Sequence, residues 1–358
     1  MIKLPKISAA QLFVMLITSR MFAMFTYKPQ KYDISFTAAS IGIVVSVLIN
    51  ILIFVPSLLL LKKYQGRNVP DCVSLQHKKS AKIYPFLILI ACLFFCIECV
   101  TQFEIFMAST IYITATPIFF ILPIVLVCAF LCRLGIESIA RMSSYVFAGL
   151  VSALIAIAIA ASPKINTVWI EPLGYDSTKS FFQFVADNVF HTTEIIPFMF
   201  LASYSKGNLK KACIWFSVAI GTMFELISFF VTTTLGIYRE TVLFPFYTVS
   251  AMAESTLAER FNAAFIILWV FMSAVRLCVY LFVSAKCIRE LKTFKNDTVP
   301  LIISAAIVIV ASLFTTQQIS YINAMYLVIV SGIPIIILAV VYPLILVLGQ
   351  KKRERRHR

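Results

Sequence analysis

The chain has 358 residues, of which 61% are hydrophobic and only 13% are charged. Soluble domains are about 45–50% apolar and about 25% charged, so this composition excludes a soluble enzyme, a disordered chain and a secreted disulfide scaffold. The net charge of +15 follows a pattern along the chain that indicates membrane topology rather than nucleic-acid binding.

Ten apolar segments follow one another along the chain, each close to the roughly 20 residues that a helix needs to cross a bilayer. Helices are expected because a bilayer offers no hydrogen-bond partner to free backbone groups. The segments are residues 8–27, 34–61, 83–108, 113–132, 142–162, 189–205, 212–237, 262–287, 299–316 and 325–349. The sequence therefore predicts an all-α membrane protein, with one integral-membrane domain over residues 1–358.

Lysine and arginine are divided unequally between the two predicted sides. With the N-terminus in the cytoplasm, 23 of the 31 lie inside, six lie outside, and Arg20 and Arg276 lie within spans. Because positively charged loops stay in the cytoplasm, both termini are predicted to be cytoplasmic. The basic tail, residues 350–358, is expected to face anionic lipid headgroups, where each charge contributes about 1 kcal/mol.

Two long segments lie on the predicted outer side. Residues 162–188 lead into an amphipathic stretch, Ser180–Phe190, which predicts an interfacial helix before span six. Residues 239–262 contain the aromatic run Phe244–Tyr247. Each segment either caps an outward-facing cavity or only connects two spans.

The remaining chemistry-bearing residues form no catalytic or metal-binding pattern. Cys96 and Cys99 fit C-x-x-C, but they lie within an apolar span, so packing between helices is the expected role, as for Cys128 and Cys132. The three histidines are too scattered for a metal site. No enzymatic activity, cofactor, metal or nucleic-acid partner is expected.

Ionisable side chains near the middle of a span are the most informative residues, because each costs about 3 kcal/mol on insertion scales. Five such residues occur: Arg20, Glu98, Glu194, Glu225 and Arg276. They form either ion pairs that serve packing or a ligand site, and composition does not separate the two.

Local context favours a site between spans one, three, six and eight. Hydroxyl residues precede the charge in spans one and six, and Pro197 is predicted to break span six by removing a backbone hydrogen bond. Broken helices mark binding sites in inverted-repeat transporters. The predicted substrate-binding residues are Thr18, Ser19, Arg20, Glu98, Gln102, Thr192, Thr193, Glu194, Arg276 and Tyr280.

This site predicts a small polar ligand such as an amino acid. Arg20 would bind a carboxylate through two parallel hydrogen bonds, and Glu98 or Glu194 would bind an ammonium group. One alternative is a proton-coupled transporter that uses Glu98, Glu194 or Glu225 as its proton carrier. Another is a membrane scaffold, or a passive conduit for water or ions, in which the buried charges only pair with each other.

Seven short motifs follow the order and spacing of a known family. They are Ile7–Phe13, Leu58–Gly66, Gly135–Arg141, Phe244–Tyr247, Glu259-Arg260, Ile267–Trp269 and Tyr342-Pro343. The most specific is Gly135–Arg141, similar to a Gly-Ile-Glu-x-Ile-Ala-Arg signature. With these motifs the chain resembles the spore-germination permeases, which are the membrane B subunits of nutrient germinant receptors within the amino acid–polyamine–organocation superfamily.

The resemblance implies a LeuT-like fold of two inverted five-helix repeats, about 8–162 and 189–349, around a central site. It implies amino acids or similar nutrients as ligands. It also implies an A subunit and a lipoprotein C subunit as partners, in the inner membrane of a bacterial endospore. Glu194 matches the acid that opens span six in the family. Two departures are Thr18-Ser19-Arg20, where the family often has glycine, and Asn262, where an acid is common.

Overall fold

The computed structural model shows a helical protein and describes residues 7–26, 32–64, 68–76, 82–112, 114–171, 174, 176–252, 261–292, 294, 296–315 and 332–348. Within this part the helices are α1 (Ala9–Thr26), α2 (Phe36–Lys63), α3 (Val69–Gln76), α4 (Ile83–Thr110), α5 (Ile118–Leu134), α6 (Ile136–Ala161), α7 (Thr178–Phe190), α8 (Ile195–Leu201), α9 (Leu209–Leu235), α10 (Pro245–Met252), α11 (Phe261–Leu291), α12 (Thr298–Thr315) and α13 (Gly332–Leu348). The middle of α13, Ile335–Val341, is π-helical.

Short 3₁₀ turns and one strand pair join these helices. The turns are Ser162–Lys164, Thr167–Trp169, Ala202–Tyr204 and Gly236–Glu240. Strand β1 (Ile7–Ser8) pairs in parallel with β2 (Ser205–Lys206). This pairing ties the start of α1, in the first repeat, to the end of α8, in the second.

Polar residues fix where the long helices begin and end. The Ser35 side chain accepts a hydrogen bond from the Ala38 amide at the start of α2, and Asn208 accepts one from the Lys211 amide at the start of α9. Both contacts satisfy amides that have no partner within the helix. Gly236 ends α9 with a φ of 54°, a conformation that glycine adopts without steric cost.

Seven of the described helices are long and apolar enough to cross a membrane: α1, α2, α4, α6, α9, α11 and α12. The apolar helices α5 and α13 are shorter. Together with the pair α7–α8, they follow the order of the ten predicted spans. The exact span count stays a prediction, as do the cytoplasmic termini and the lipid-facing tail, which lie outside the described residues.

The surface of α2 supports a lipid environment. A row of large apolar side chains spaced three or four residues apart is exposed along it. The row consists of Ile41, Val44, Leu48, Leu52, Val55 and Leu59, each at least 40% exposed. An apolar stripe of this length on the outside of a protein is typical of a surface that faces lipid.

Span six is a broken helix that includes α7. Its two pieces lie beside α2 and run parallel to it. The contacts along this pair are Ser35 with Asp176, Ser46 with Val185, Asn50 with Thr192, and Phe54 with Phe198. The span therefore extends from Thr178 to Leu201, and the predicted start at residue 189 was wrong. Ser180–Phe190, predicted as an interfacial helix before span six, forms most of α7, and its apolar face packs on α2 in line with α8.

The break itself lies at residues 191–194, in the turn that precedes Pro197, the residue predicted to break span six. Pro197 is the third residue of α8. In the first turn of a helix the missing proline N–H has no intrahelical partner to lose. Span one differs from span six, since α1 is continuous from Ala9 to Thr26.

The centre of the molecule is formed by α1 and α11. Within an apolar stretch of 18 residues in each helix, 67% of the residues of α1 and 72% of those of α11 are buried, against 22%, 28% and 33% for α6, α9 and α12. Helix α11 packs against α4, α1, α6, α5 and α12. The two most buried helices thus come from opposite repeats, and they bring Arg20 and Arg276 into the same interior.

Candidate functional site

Three ionisable side chains meet where span six is interrupted. Arg276 on α11 donates from Nη1 to Oε1 of Glu194 at 2.6 Å, and its Nη2 lies 3.5 Å from Oε2 of Glu98 on α4. Gln102, one turn along α4, donates to the other oxygen of Glu98 at 3.2 Å. The side chains of Arg276 and Glu194 are 2% and 0% exposed. One guanidinium therefore holds two carboxylates, one from each half of the chain.

Hydroxyl groups complete the arrangement. Ser19 of α1 donates to Oε1 of Glu194 at 3.1 Å. The hydroxyl oxygens of Thr193 and Tyr280 are 2.6 Å apart, and Thr193 also accepts from Nη2 of Arg276 at 3.4 Å. The Arg276 guanidinium lies 5.2 Å from the Tyr280 ring centre, which is within range for a cation–π contact. We call this group the Arg276 cluster: Ser19, Glu98, Gln102, Thr193, Glu194, Arg276 and Tyr280.

Arg20 lies on the other side of the break. It is 5% exposed, and its Nη1 donates to the carbonyl oxygen of His191, which follows the last residue of α7. The last carbonyls of a helix lack intrahelical partners and carry partial negative charge. Arg20 therefore caps α7, and its role toward a ligand carboxylate stays a prediction.

Three further residues of the predicted site lie outside the Arg276 cluster. Thr18 donates to a carbonyl of its own helix at 2.7 Å. Thr192 accepts from the amide of Asn50 on α2 at 3.2 Å. Glu225 of α9, the third predicted proton carrier, accepts from Ser40 of α2 at 2.7 Å. Position along a span predicts how deep these residues lie, but it does not predict the direction in which their side chains point.

Two polar contacts beside the break were not predicted. Asn50 is the single amide in the apolar run 34–61, which is the signal that could have found it. Asp187 and His191 lie one turn apart at the end of α7, with Oδ1 of Asp187 3.1 Å from Nδ1 of His191. Spacing alone does not distinguish this pair from two surface residues.

Four buried polar atoms around the break have no hydrogen-bond partner among the described residues. They are Nε of Arg20, Nε of Arg276, Oε2 of Glu194 and Oε1 of Gln102. An unsatisfied buried polar group costs about 1–3 kcal/mol, and native proteins have few of them. All four atoms lie beside the break in span six.

Aromatic rings separate the Arg276 cluster from the predicted outer side. Trp269 lies two turns before Arg276 on α11. Its ring centroid is 5.5 Å from that of Phe103, with the rings stacked, 4.0 Å from Phe106 and 5.0 Å from Phe22. Arg276 and Glu194 are almost fully buried beneath these rings, whereas the Glu98 side chain is 16% exposed.

Cavities lie nearer the two ends of the molecule. The outer one has a volume of about 280 Å³ and the inner one about 940 Å³. In the inner cavity Asp297 accepts hydrogen bonds from Lys286, at 2.7 Å, and from Arg289. Burial raises the pKa of Asp297, but these bonds outweigh burial and hold the pKa below its usual value. Neither cavity is lined by Glu194 or Arg276.

Thiols pack between helices. All nine cysteines are free and buried. The sulfur of Cys128 lies 3.5 Å from the carbonyl oxygen of Ala274, and that of Cys132 lies 3.4 Å from the carbonyl oxygen of Cys278. Among the described residues no three His, Cys, Asp or Glu side chains gather closely enough to hold a metal ion. Cys128 and Cys132 therefore serve the contact of α5 with α11.

The fold is that of a LeuT-type transporter. A solved structure, described as the substrate-bound outward-open state of a Na+-coupled sialic acid symporter, matches with a TM-score of 0.59 over 92% of this chain and 76% of that chain. The sequences are 14% identical, so the likeness concerns the fold alone. The fold and its buried polar site define an integral-membrane, permease-like protein, a class whose members are not in general enzymes.

The chain belongs to the spore germination protein family, whose sequence profile matches residues 6–320. No curated protein sequence matches the chain. The family match confirms the resemblance carried by Gly135–Arg141 and the other motifs, and the structural match confirms the predicted LeuT-like fold.

Proposed function

We propose that this protein is the permease-like subunit of a germinant receptor, which binds and senses a small nutrient such as an amino acid. It would act in the inner membrane of a bacterial spore, together with an A subunit and a lipoprotein C subunit. Its family membership supports this setting. The ligand would bind at the Arg276 cluster, between α1, α4, the break in span six and α11.

The observation that carries the proposal is the set of unpartnered buried atoms at the break. Groups of both signs already face each other here, with Arg20 and Arg276 beside Glu98, Glu194 and Asp187, so a ligand with net charge adds a further uncompensated charge to a buried site. A zwitterion adds none. Its carboxylate would bind a guanidinium, and its ammonium group would bind a carboxylate, through charge-assisted hydrogen bonds.

Binding would change the ion pairs that hold span six. Glu194 is the residue just before α8, and it is bound by Ser19 and Arg276. A ligand ammonium group that takes an oxygen of Glu194 weakens one of these contacts. A ligand that binds one arrangement of the break better than another shifts the population toward it, and the A subunit would sense that shift.

The test is equilibrium binding of each of the twenty amino acids to the purified full-length protein, with and without its companion subunits. We expect at least one to bind the wild type, and we expect Glu194→Gln to weaken that binding at least tenfold. The matched control is Glu137→Gln, because Glu137 is 47% exposed and pairs only loosely with Arg141, at 3.9 Å. Equal amino-acid affinity of wild type and Glu194→Gln would show that the ligand does not bind at the Arg276 cluster.

Transport is the second candidate, because the structural match is to a coupled symporter. Glu98, Glu194 or Glu225 would then carry a proton, and Oε2 of Glu225 is buried without a partner among the described residues. Accumulation of a labelled amino acid in proteoliposomes under a pH gradient supports transport. Binding without accumulation supports sensing.

A further inference from the structure

The outer cavity is an aromatic chamber. It lies between the outer ends of α1, α2, α7 and α9 and the start of α10, and has a volume of about 280 Å³. Five phenylalanines line it: Phe25, Phe36, Phe184, Phe224 and Phe246. Phe25 and Phe246 stack with ring centroids 4.6 Å apart. Since these rings come from five different helices, the chamber depends on the packing of all five.

Opposite charges stand together at one end of this chamber. Arg239 and Glu240 are neighbours in the turn Gly236–Glu240, and both line the cavity. Arg239 donates from Nη1 to the hydroxyl of Thr232 at 2.9 Å. The turn packs tightly against Trp169, because a Cβ added at Gly236 would lie 2.4 Å from the ring of Trp169. The two charges thus have a defined position beside an apolar space.

We infer that this chamber is a second ligand site, which takes a small zwitterion with an apolar or aromatic side chain. The side chain would occupy the space between the phenylalanine rings, while Arg239 binds the carboxylate and Glu240 the ammonium group. Ligand sites in proteins are mostly apolar, with a few placed polar groups, and measure about 300–1,000 Å³. The chamber has this composition and lies near the lower end of that range, which fits an amino acid.

The position of the chamber links it to the break in span six. Phe184 belongs to α7, whose far end is capped by Arg20. Met24 and Phe224 line both the chamber and a smaller void of about 20 Å³ that is also lined by Arg20. A ligand in the chamber would therefore contact the outer half of the broken helix. The inference rests on the proposed function only in assuming that the ligand resembles an amino acid.

The test is equilibrium dialysis of labelled L-phenylalanine and labelled L-serine against the purified full-length protein. We expect L-phenylalanine to bind roughly tenfold or more tightly than L-serine, because its side chain buries more apolar surface. Ala39→Phe fills the chamber with a ring, and Arg239→Gln removes its cation. Each variant should weaken L-phenylalanine binding at least tenfold. Lys179→Gln is the matched control, since it removes an exposed outer cation that does not line the chamber.

The outcomes separate this site from the Arg276 cluster. Binding of L-phenylalanine that is lost in Arg239→Gln but retained in Glu194→Gln supports the second site. Binding that is unchanged in both Ala39→Phe and Arg239→Gln overturns it, as does the absence of L-phenylalanine binding to the wild type. In either overturning case the proposed function still stands if another amino acid binds in a manner sensitive to Glu194→Gln.

Discussion

The guanidinium of Arg276 lies between two carboxylates, and its planar shape explains how one residue holds both. Its Nη1 and Nη2 point to different acids, at 2.6 and 3.5 Å, while its Nε has no partner among the described residues. Lysine offers a single point charge and cannot reproduce this fork. Arg276 therefore joins α4 to the start of α8, and under the proposed function the same group would bind the ligand.

Replacing Arg276 by Lys should destabilise the protein, because the ammonium group cannot serve Glu98 and Glu194 together. Losing one partner of a buried ion pair costs about 3–5 kcal/mol. The measurement is the free energy of unfolding by denaturant in detergent. The control is Arg141→Lys, where the side chain is 73% exposed and a change within about 0.5 kcal/mol is expected. Similar small effects in both variants would contradict this role.

At the scale of helices, the main feature is an interruption stabilised by two arginines. Arg20 binds the carbonyl of His191 on one side of the break, and Arg276 binds Glu194 and Thr193 on the other. Broken helices leave backbone groups without intrahelical partners, and side chains must satisfy them. Arg20 satisfies one such backbone carbonyl, whereas Arg276 holds the other side of the break through the side chains of Glu194 and Thr193.

Removing the guanidinium with Arg20→Met should loosen the end of α7. A hydrogen bond to a charged group contributes about 1.5–3 kcal/mol, so amides of residues 188–194 should exchange with solvent at least tenfold faster. Hydrogen–deuterium exchange with mass spectrometry measures this rate. Arg141→Met serves as the control on an exposed site. Unchanged exchange at residues 188–194 in Arg20→Met would show that Arg20 does not hold the break.

The start of α2 depends on Asp176. Its carboxylate accepts hydrogen bonds from the amide and hydroxyl of Ser35 and from the amide of Gly174. The Ser35 amide is the main cause that lowers the pKa of Asp176 from 3.8. A carboxyl group whose pKa is lower in the folded than in the unfolded protein stabilises the fold at pH values above its unfolded-state pKa. This stabilisation is lost as the pH falls through the folded-state pKa.

Wild type should therefore be more stable than Asp176→Asn at pH 6, and the difference should shrink as the pH falls below about 4. Thermal unfolding of both proteins from pH 3 to pH 6 measures this difference. The control is Asp33→Asn, which removes an exposed carboxylate on the same side. A stability difference between wild type and Asp176→Asn that stays constant from pH 3 to pH 6 would contradict this role of Asp176 at the start of α2.

Close contact between α2 and α9 requires a glycine. A Cβ added at Gly221 would lie 2.2 Å from Cγ2 of Val47, and a β-branched side chain has little rotational freedom with which to move away. Gly221→Ala should lower the free energy of unfolding by about 1–3 kcal/mol. The control is Thr222→Ala at the exposed neighbouring position. Equal stability of both variants would show that the two helices can separate without cost.

For the whole molecule, composition and charge predicted the class, and the order of apolar segments followed the order of the helices. The start of span six was missed because α7 contains Lys179, Asp187 and Asn188, which lower its apolar content. The site was predicted in part. Residue depth can be inferred from position along a span, so Glu98, Glu194 and Arg276 were grouped correctly.

The direction in which a side chain points cannot be inferred from its position along a span. Arg20 and Ser19 are neighbours at the same depth, yet one binds the end of α7 and the other binds Glu194. Which face of α1 meets which helix depends on the packing of the two repeats, and that information is not contained in any single segment. Residues 239–262 were predicted either to cap an outward-facing cavity or only to connect spans, and Phe246 lines the outer chamber. Its full lining could not be inferred for the same reason, since its five rings come from five helices.

The Arg276 cluster is proposed to bind a ligand as well as to hold the fold. The most direct measurement is amino-acid binding by the charge-swapped double variant, Glu194→Arg with Arg276→Glu, compared with the wild type and each single variant. We expect the double variant to regain part of the stability that the single variants lose, while ligand binding stays at least tenfold weaker, because the two ligand charges now meet like charges. Wild-type affinity in the stable double variant would contradict the claim and would leave the buried charges as a purely structural pair.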